Sequence, residues 1–195
     1  MLTTYRFLML TGGLLLPTVV LAETTTRITA TVVASSCQGS IVANGQRGIT
    51  GMIDFGVINP RLRETPVETF SLMLSEYDGG DIGCSAFEVY ARTNVFATIT
   101  FGDLSNHQLD EQGVVTRYDD GSVSPLRVRV TPTNPEARFT AVDGPGFITQ
   151  SHREVQYPVE FAARGQFDFL ASLVNADEAK PGKFTGTLTL TLVYQ

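Results

Sequence analysis

Few side chains in this sequence stand at spacings that could carry out chemistry. His107 and His152 are the two histidines, each in a polar stretch without the neighbouring ligands that a metal site needs. Serine, histidine and aspartate all occur, but the Gly-x-Ser-x-Gly elbow of a hydrolase does not. The acidic clusters at 76–81, 110–111 and 119–120 lack the spacing of a calcium loop and are typical of turns. We therefore predict that the protein is not an enzyme and holds no metal or cofactor.

The two cysteines, Cys37 and Cys84, are the pair with the clearest chemistry. In an oxidising compartment such a pair forms a disulfide, whereas in a reducing one it stays as two buried thiols. A bond between them would close a loop of nearly fifty residues and stabilise the fold by about 4 kcal/mol on the chain-entropy model. We predict the disulfide, because the N-terminus indicates export.

Residues 1–22 have the pattern of a signal peptide. One positive charge, Arg6, precedes an apolar run that ends in Val20-Leu21-Ala22, the small-residue spacing that signal peptidase accepts. The alternative is a membrane anchor, but the run has about fifteen residues where a spanning helix needs about twenty. We expect cleavage after Ala22 and export; the family resemblance described below implies passage through the periplasm to the cell surface.

The mature chain, residues 23–195, is acidic and has the size of one domain. Without Arg6 it holds 13 basic and 20 acidic residues, a net charge of −7. No basic patch is visible, so a nucleic-acid partner is not expected. We divide the chain into the signal peptide (1–22), an N-terminal arm (23–36) and one folded domain (37–195).

The elements that would carry any site are short strands rather than helices. Apolar residues recur at every second position, and glycine-rich turns such as Asn44-Gly45, Asp120-Gly121 and Pro181-Gly182 separate the runs. The alternating sets are Ile53/Phe55/Val57, Phe70/Leu72/Leu74, Phe87/Val89/Ala91, Ile99/Phe101, Leu126/Val128/Val130, Val155/Tyr157/Val159/Phe161 and Phe167/Phe169. We predict an antiparallel β-sandwich, with long loops at 103–124 and 132–153.

Both ends of the mature chain are also alternating strands. At the C-terminus every second residue from Phe184 is apolar or glycine, and threonines stand between them. The N-terminal arm alternates less strongly. One face of the arm carries Thr26, Ile28, Ala30 and Val32, and the face of the C-terminal strand carries Phe184, Gly186, Leu188, Leu190, Leu192 and Tyr194. Strands with open edges and apolar faces are normally covered in a soluble protein.

These features together resemble the pilin subunits of chaperone–usher fimbriae. The first cysteine comes fifteen residues into the mature chain, followed by Ile53-Asp54-Phe55-Gly56 and then by Cys84. Gly182 is the fourteenth residue from the end and Tyr194 the second. The short arm is most similar to minor subunits of the tip fibrillum. Where the family often has glycine in the arm, this chain has Ala30, the next smallest residue.

The resemblance implies an incomplete immunoglobulin-like antiparallel sandwich that lacks its last strand. The missing strand leaves a groove beside 184–194, which a periplasmic chaperone fills first. At the outer-membrane usher, the arm of a neighbouring pilin subunit replaces it by donor-strand complementation. On this reading Thr26, Ile28, Ala30 and Val32 are the plugs that the arm offers to a neighbour. Gly182 to Tyr194 form the groove wall that the chaperone recognises.

Three roles within a fimbria remain open. An adaptor needs both an arm and a groove, whereas a terminating subunit needs only the arm. An adhesive tip subunit uses only the groove and would bind a host receptor through its loops, with Arg117, Tyr118 and Asp119 as candidate contacts. An exported, self-contained carbohydrate-binding sandwich is the alternative outside this class. We predict the minor structural adaptor. If the protein's own strands cover Tyr194 and the Leu188, Leu190 and Leu192 face on both sides, assembly by strand exchange fails.

Overall fold

The structure is a computed structural model that describes residues 22–32, 37–58, 66–90, 96–103, 105, 107–141 and 143–194. All of the predicted signal peptide except Ala22 lies outside these residues, as do 33–36 of the arm, so cleavage and the domain boundaries stay predictions. In the described part, neither helix is long and apolar enough to cross a membrane.

Strands make up most of the described chain, and two short helices interrupt them. In chain order the elements are β1 (Ala22–Val32), β2 (Gln38–Ala43), β3 (Gln46–Gly48), β4 (Thr50–Ile58), β5 (Val67–Ser75), α1 (Ser85–Tyr90), β6 (Phe96–Phe101), β7 (Leu109–Asp110), β8 (Gly113–Tyr118), β9 (Val123–Pro132), β10 (Arg138–Phe139), β11 (Glu154–Pro158), α2 (Val159–Ala162), β12 (Gln166–Val174) and β13 (Phe184–Tyr194).

The strands pair in the order β10-β11-β6-β13-β8-β9-β12-β5-β2-β3. Strand β1 lies between β13 and β4, and β7 pairs with β8. The described pairings are antiparallel except that of β1 with β13. The chain is an all-β, immunoglobulin-like sandwich; the alternation predicted the antiparallel sandwich, and the resemblance implied its immunoglobulin-like form.

Aromatic side chains join the two halves of the sandwich. Phe169 of β12 stacks on its cross-strand neighbour Phe70, with ring centroids 5.1 Å apart. Phe101 of β6 meets the edge of Phe169 at 5.5 Å, and Tyr157 of β11 meets Phe167 at 4.8 Å. Edge-to-face pairs of this kind add about 0.5–1.5 kcal/mol to the burial of the rings. The predicted core residues of β5, β6, β9 and β12 are buried here.

Two predicted strand segments are helical. Phe87 and Val89 lie in α1, which follows Cys84 directly, and the backbone N–H of Ser85 donates to Glu76 Oε1 at 2.5 Å. This bond lowers the pKa of the Glu76 carboxyl. Similarly, β11 ends at Pro158 and α2 begins at Val159. Alternation was wrong in these places because runs this short cannot separate a strand from one helical turn.

A bulge corrects the predicted face of β4. Ile53 and Phe55 are buried, but Val57 is 57% exposed and Ile58 is buried instead. Gly56 adopts a φ of +65°, and its N–H donates to Asp54 Oδ1 at 2.8 Å. Between Glu23 and Thr25 of β1, three steps of β4 match two of β1. The extra residue moves Val57 to the outer face.

The predicted loop at 103–124 is instead mostly a β-hairpin. Strand β8 pairs with β9 on one edge and with the start of β13 on the other. Arg127 of β9 is buried and pairs with Asp110 at 2.6 Å. Sequence reasoning missed this hairpin because its strands are short and its polar residues, several of them exposed, are typical of a loop. Within 132–153, only Arg138–Phe139 forms a described strand beyond the end of β9.

The disulfide is formed as predicted. Cys37 and Cys84 are bonded, with their Cα atoms 5.9 Å apart. Cys37 stands between the arm and β2, and Cys84 directly precedes α1. The bond therefore fixes the base of the arm to the body of the sandwich.

A hydrogen-bonded carboxylate connects β12, β5 and the segment after β9. Asp168 accepts hydrogen bonds from Ser71 Oγ at 2.6 Å, Gln166 Nε2 at 3.0 Å and Asn134 Nδ2 at 3.1 Å. Partial burial would raise the pKa of the Asp168 carboxyl, but the three hydrogen bonds outweigh it and lower this pKa.

We expect the double variant Cys37→Ala and Cys84→Ala to lose about 2–5 kcal/mol in the free energy of unfolding, because the unfolded chain regains its loop entropy. Urea denaturation of residues 23–195 measures this loss. Treating the wild type with a reductant should give a similar loss. Unchanged stability in both cases would contradict a structural role for the bond.

We expect Asp168→Asn to destabilise the protein at neutral pH. The folded pKa of Asp168 lies below its unfolded value, so its contribution is present above about pH 4 and disappears as the pH falls through the folded pKa. The stability gap between wild type and variant should therefore narrow in acid. Glu160→Gln, which removes an exposed charge elsewhere, is the control. A gap that does not depend on pH would contradict the ionised, hydrogen-bonded Asp168.

Candidate functional site

Strand β13 presents the apolar face that the sequence indicated. The buried residues are Phe184, Gly186, Leu188, Leu190 and Leu192, whereas Thr185 and Thr187 are exposed. On one edge, β13 pairs first with β8 at Phe184–Gly186 and then with β6 at Leu190–Tyr194. The candidate site is the groove along the other edge.

The arm of the same chain occupies this groove. Strand β1 runs parallel to β13 on one side and antiparallel to β4 on the other. The paired residues along β13 are Thr26 with Gly186, Ile28 with Leu188, Ala30 with Leu190 and Val32 with Leu192. Thr26, Ile28 and Ala30 are buried, and the side chain of Val32 lies outside the described residues. The alternation of the arm is thus the alternation of a core strand.

This arrangement differs from the open groove expected of the isolated chain. Strands of the same chain flank both edges of β13, which is the condition stated above under which strand exchange fails. The covering strand, however, is the arm itself. Among the described residues no other strand pairs with this edge of β13. In the described structure the arm therefore completes the sandwich along this edge.

Ile28 is the central plug of the arm. It is fully buried, beside Leu188 on β13 and opposite Gly51 on β4. Gly51 has no side chain because Ile41 fills that space: a Cβ there would stand 2.1 Å from Ile41 Cγ2. Sequence reasoning missed Gly51, although a glycine inside an alternating run does indicate close approach of another group.

Thr26 fits its buried position in the groove less favourably than Ile28 does. It is fully buried opposite Gly186, and its hydroxyl has no hydrogen-bond partner among the described residues. Thr116, across Gly186 from it, donates its own hydroxyl to Leu126 O at 2.8 Å and presents its methyl toward Gly186. A buried hydroxyl without a partner costs about 1–3 kcal/mol.

The linker favours the parallel direction of the arm. Five peptide bonds join Val32 to Cys37, a reach of at most about 18 Å. Cys37 borders the same cleft as Ala30, which pairs with Leu190. Reversal would place Val32 beside Phe184, six residues or about 20 Å from Leu190. An arm from another molecule would not carry this restraint.

Gly182 and Tyr194 bracket β13 as the sequence suggested. Gly182 precedes the strand and faces the ring of Tyr118, and the backbone of Tyr194 pairs with Ala97. The side chain of Tyr194 lies outside the described residues. The ring of Tyr118 packs 4.9 Å from that of Phe184 and closes this end of the core.

Two of the three residues proposed for receptor contact make hydrogen bonds within the protein. Tyr118 Oη accepts a hydrogen bond from the backbone of Lys180 at 3.0 Å, and Arg117 donates to Gly121 O at 3.2 Å. Asp119 is exposed at the turn. Two of the three candidate contacts thus stabilise the strand that borders β13.

An open cleft of about 570 Å³ lies at the Ala30 end of the arm. Arg47 spans it and donates to Ser40 Oγ at 2.8 Å, to Ser75 Oγ at 3.2 Å and to Gly80 O at 3.3 Å. Its guanidinium therefore holds β2, β3 and the segment after β5 together. This is a structural role.

We expect Ile28→Ala to lower the free energy of unfolding by about 2–5 kcal/mol, because it leaves a cavity between β13 and β4. Urea denaturation of residues 23–195 provides the measurement. Arg27→Ala, next to it on the exposed face, should change stability by no more than about 0.5 kcal/mol. Equal effects of the two variants would mean that the arm does not occupy the groove in solution.

Comparison with known proteins agrees with this architecture. The family model described as K88 fimbrial protein A matches residues 14–195. A comparison with curated proteins gives no match for this chain. The family match covers the arm, the disulfide, the hairpin and the C-terminal strand in one continuous stretch. The chain therefore belongs to the K88 fimbrial protein A family, a family of chaperone–usher fimbrial subunits.

Proposed function

We propose that this fimbrial subunit is a minor structural adaptor that polymerises by donor-strand exchange and contributes to bacterial adhesion. As a fimbrial subunit it belongs to a structural family rather than to an enzyme family. The observation that carries the proposal is that the described part of the chain covers the Leu188 edge of β13 with the arm alone.

The arm is suited to exchange because of how it is connected. It is the first strand, and it joins the sandwich through residues 33–36, beyond which Cys37 is held by the disulfide. Its departure would break the ladders to β13 and β4 and leave the other strand pairings in place. An incoming strand with the same alternation would restore both ladders and fill the site of Ile28.

The adaptor role requires that the chain both give and receive a strand. Thr26, Ile28, Ala30 and Val32 would be the plugs given to a neighbour. The face from Phe184 to Leu192 would receive the arm of another subunit. Gly182 and Tyr194 mark the ends of the strand that we assign to recognition by the periplasmic chaperone, before the usher in the outer membrane directs the exchange.

A second candidate rests on the closed state itself. A chain that covers its own groove is complete without a partner, as a self-contained carbohydrate-binding sandwich would be. The adhesive tip subunit, which would receive a strand in its groove, is weakened as an alternative because Tyr118 and Arg117 of its assigned receptor site bond to Lys180 and Gly121. The two candidates differ in whether the groove accepts a strand from outside.

We expect a synthetic peptide of residues 23–36 to stabilise the Ile28→Asp variant of residues 23–195. The aspartate cannot be buried beside Leu188, so the variant's own arm leaves the groove. Peptide at about one hundred times its Kd should raise the Tm by about 5–10 °C. The same peptide carrying Ile28→Asp is the control and should have no effect. A Tm that does not respond to the wild-type peptide would contradict donor-strand exchange.

Mixing the Ile28→Asp variant with wild-type protein tests the adaptor role. The wild type has an intact arm to give and the variant a vacant groove to receive it. We expect a one-to-one complex by size-exclusion chromatography with light scattering, and none with the variant alone. If the variant takes the peptide but never the arm of the intact protein, the subunit receives a strand without donating one, as a tip adhesin would.

A further inference from the structure

We propose that the chain's own arm is a reversible cap, and that Thr26 weakens its hold so that the arm can be exchanged. The inference rests on the proposed function and concerns its regulation: a closed monomer would hide its apolar groove until another strand replaces the arm.

The first support is the fit of the arm in its own groove. Ile28 fills its site, but two positions earlier the hydroxyl of Thr26 is buried without a hydrogen-bond partner among the described residues. It lies beside Gly186, which has no side chain, where the methyl of Thr116 and the carbonyl oxygen of Val115 also approach; the hydroxyl of Thr116 is already bonded to Leu126 O. The arm is therefore held firmly at one plug and poorly at the next.

The second support is the direction of the arm. The short linker to the disulfide-held Cys37 favours an arm parallel to β13, and parallel pairing is slightly weaker per residue than antiparallel pairing. At the far end of the arm, Ala30 fills its position with a single methyl beside the open cleft. These features reduce the stability of the closed state while keeping its apolar surface covered.

The third support is the asymmetry of the arm's threonines. Thr29 lies on the opposite face, half-buried and paired with Thr189 across the ladder. Valine in place of Thr26 would keep the shape and remove the buried hydroxyl, whereas valine in place of Thr29 makes the same chemical change outside the core. The chain thus provides a matched control within one strand.

The test measures how fast full-length mature protein takes up a fluorescein-labelled peptide of residues 23–36 with the wild-type sequence. Fluorescence anisotropy follows binding, and only the protein's own arm is varied, so the groove and the probe stay the same. We expect Thr26→Val to slow uptake about tenfold, because the closed state gains the cost of the unpartnered hydroxyl. Thr29→Val should stay within about twofold of wild type.

The Ile28→Asp variant, with its arm displaced, separates the two hypotheses. If it takes up no peptide, the proposed strand exchange fails. If it takes up peptide and the wild type, Thr26→Val and Thr29→Val all bind at one rate, strand exchange stands and the role of Thr26 is overturned. Wild-type uptake as fast as that of Ile28→Asp would show that the arm does not close the groove, and no wild-type uptake at all would show that the cap is not reversible.

Discussion

The fold depends on how one edge of β13 is covered. A strand with a free edge and an apolar face exposes unpaired N–H and C=O groups together with hydrophobic surface, and in water both promote association. The opposite edge of β13 pairs with β8 and β6, so those two strands are not available to cover this edge. The arm completes the core at this edge, and Ile28 is buried as deeply as any residue of the body.

Several features of the body shape the groove that this strand occupies. Gly51 and Ile41 shape the wall opposite β13, since the side chain of Ile41 occupies the space that Gly51 leaves free. Tyr118 closes the end of the groove against Phe184. The disulfide fixes Cys37, the point at which the arm joins the body.

The sequence predicted most of this architecture and missed identifiable parts of it. Alternation found β5, β6, β9, β12 and β13 because their buried apolar residues stand at every second position. It failed at α1 and α2, where the runs were too short, and at β4, where Gly56 inserts an extra residue. It also failed in 103–124, where polar and charged residues such as Asp110 look like loop residues in the sequence, although Asp110 pairs with Arg127 of the neighbouring β9.

By itself the sequence determined the disulfide pair, the strand character of both ends and the resemblance to fimbrial subunits, because composition and period are local properties. Tertiary structure alone decided which strand covers β13 and in which direction it runs. It also decided that the Thr26 hydroxyl is buried without a hydrogen-bond partner among the described residues, whereas Thr29 is only half-buried. Those outcomes depend on distances between segments far apart in the chain, on the reach of residues 33–36 from Cys37, and on the contacts that neighbouring side chains have already made. A pattern along one strand contains none of that information.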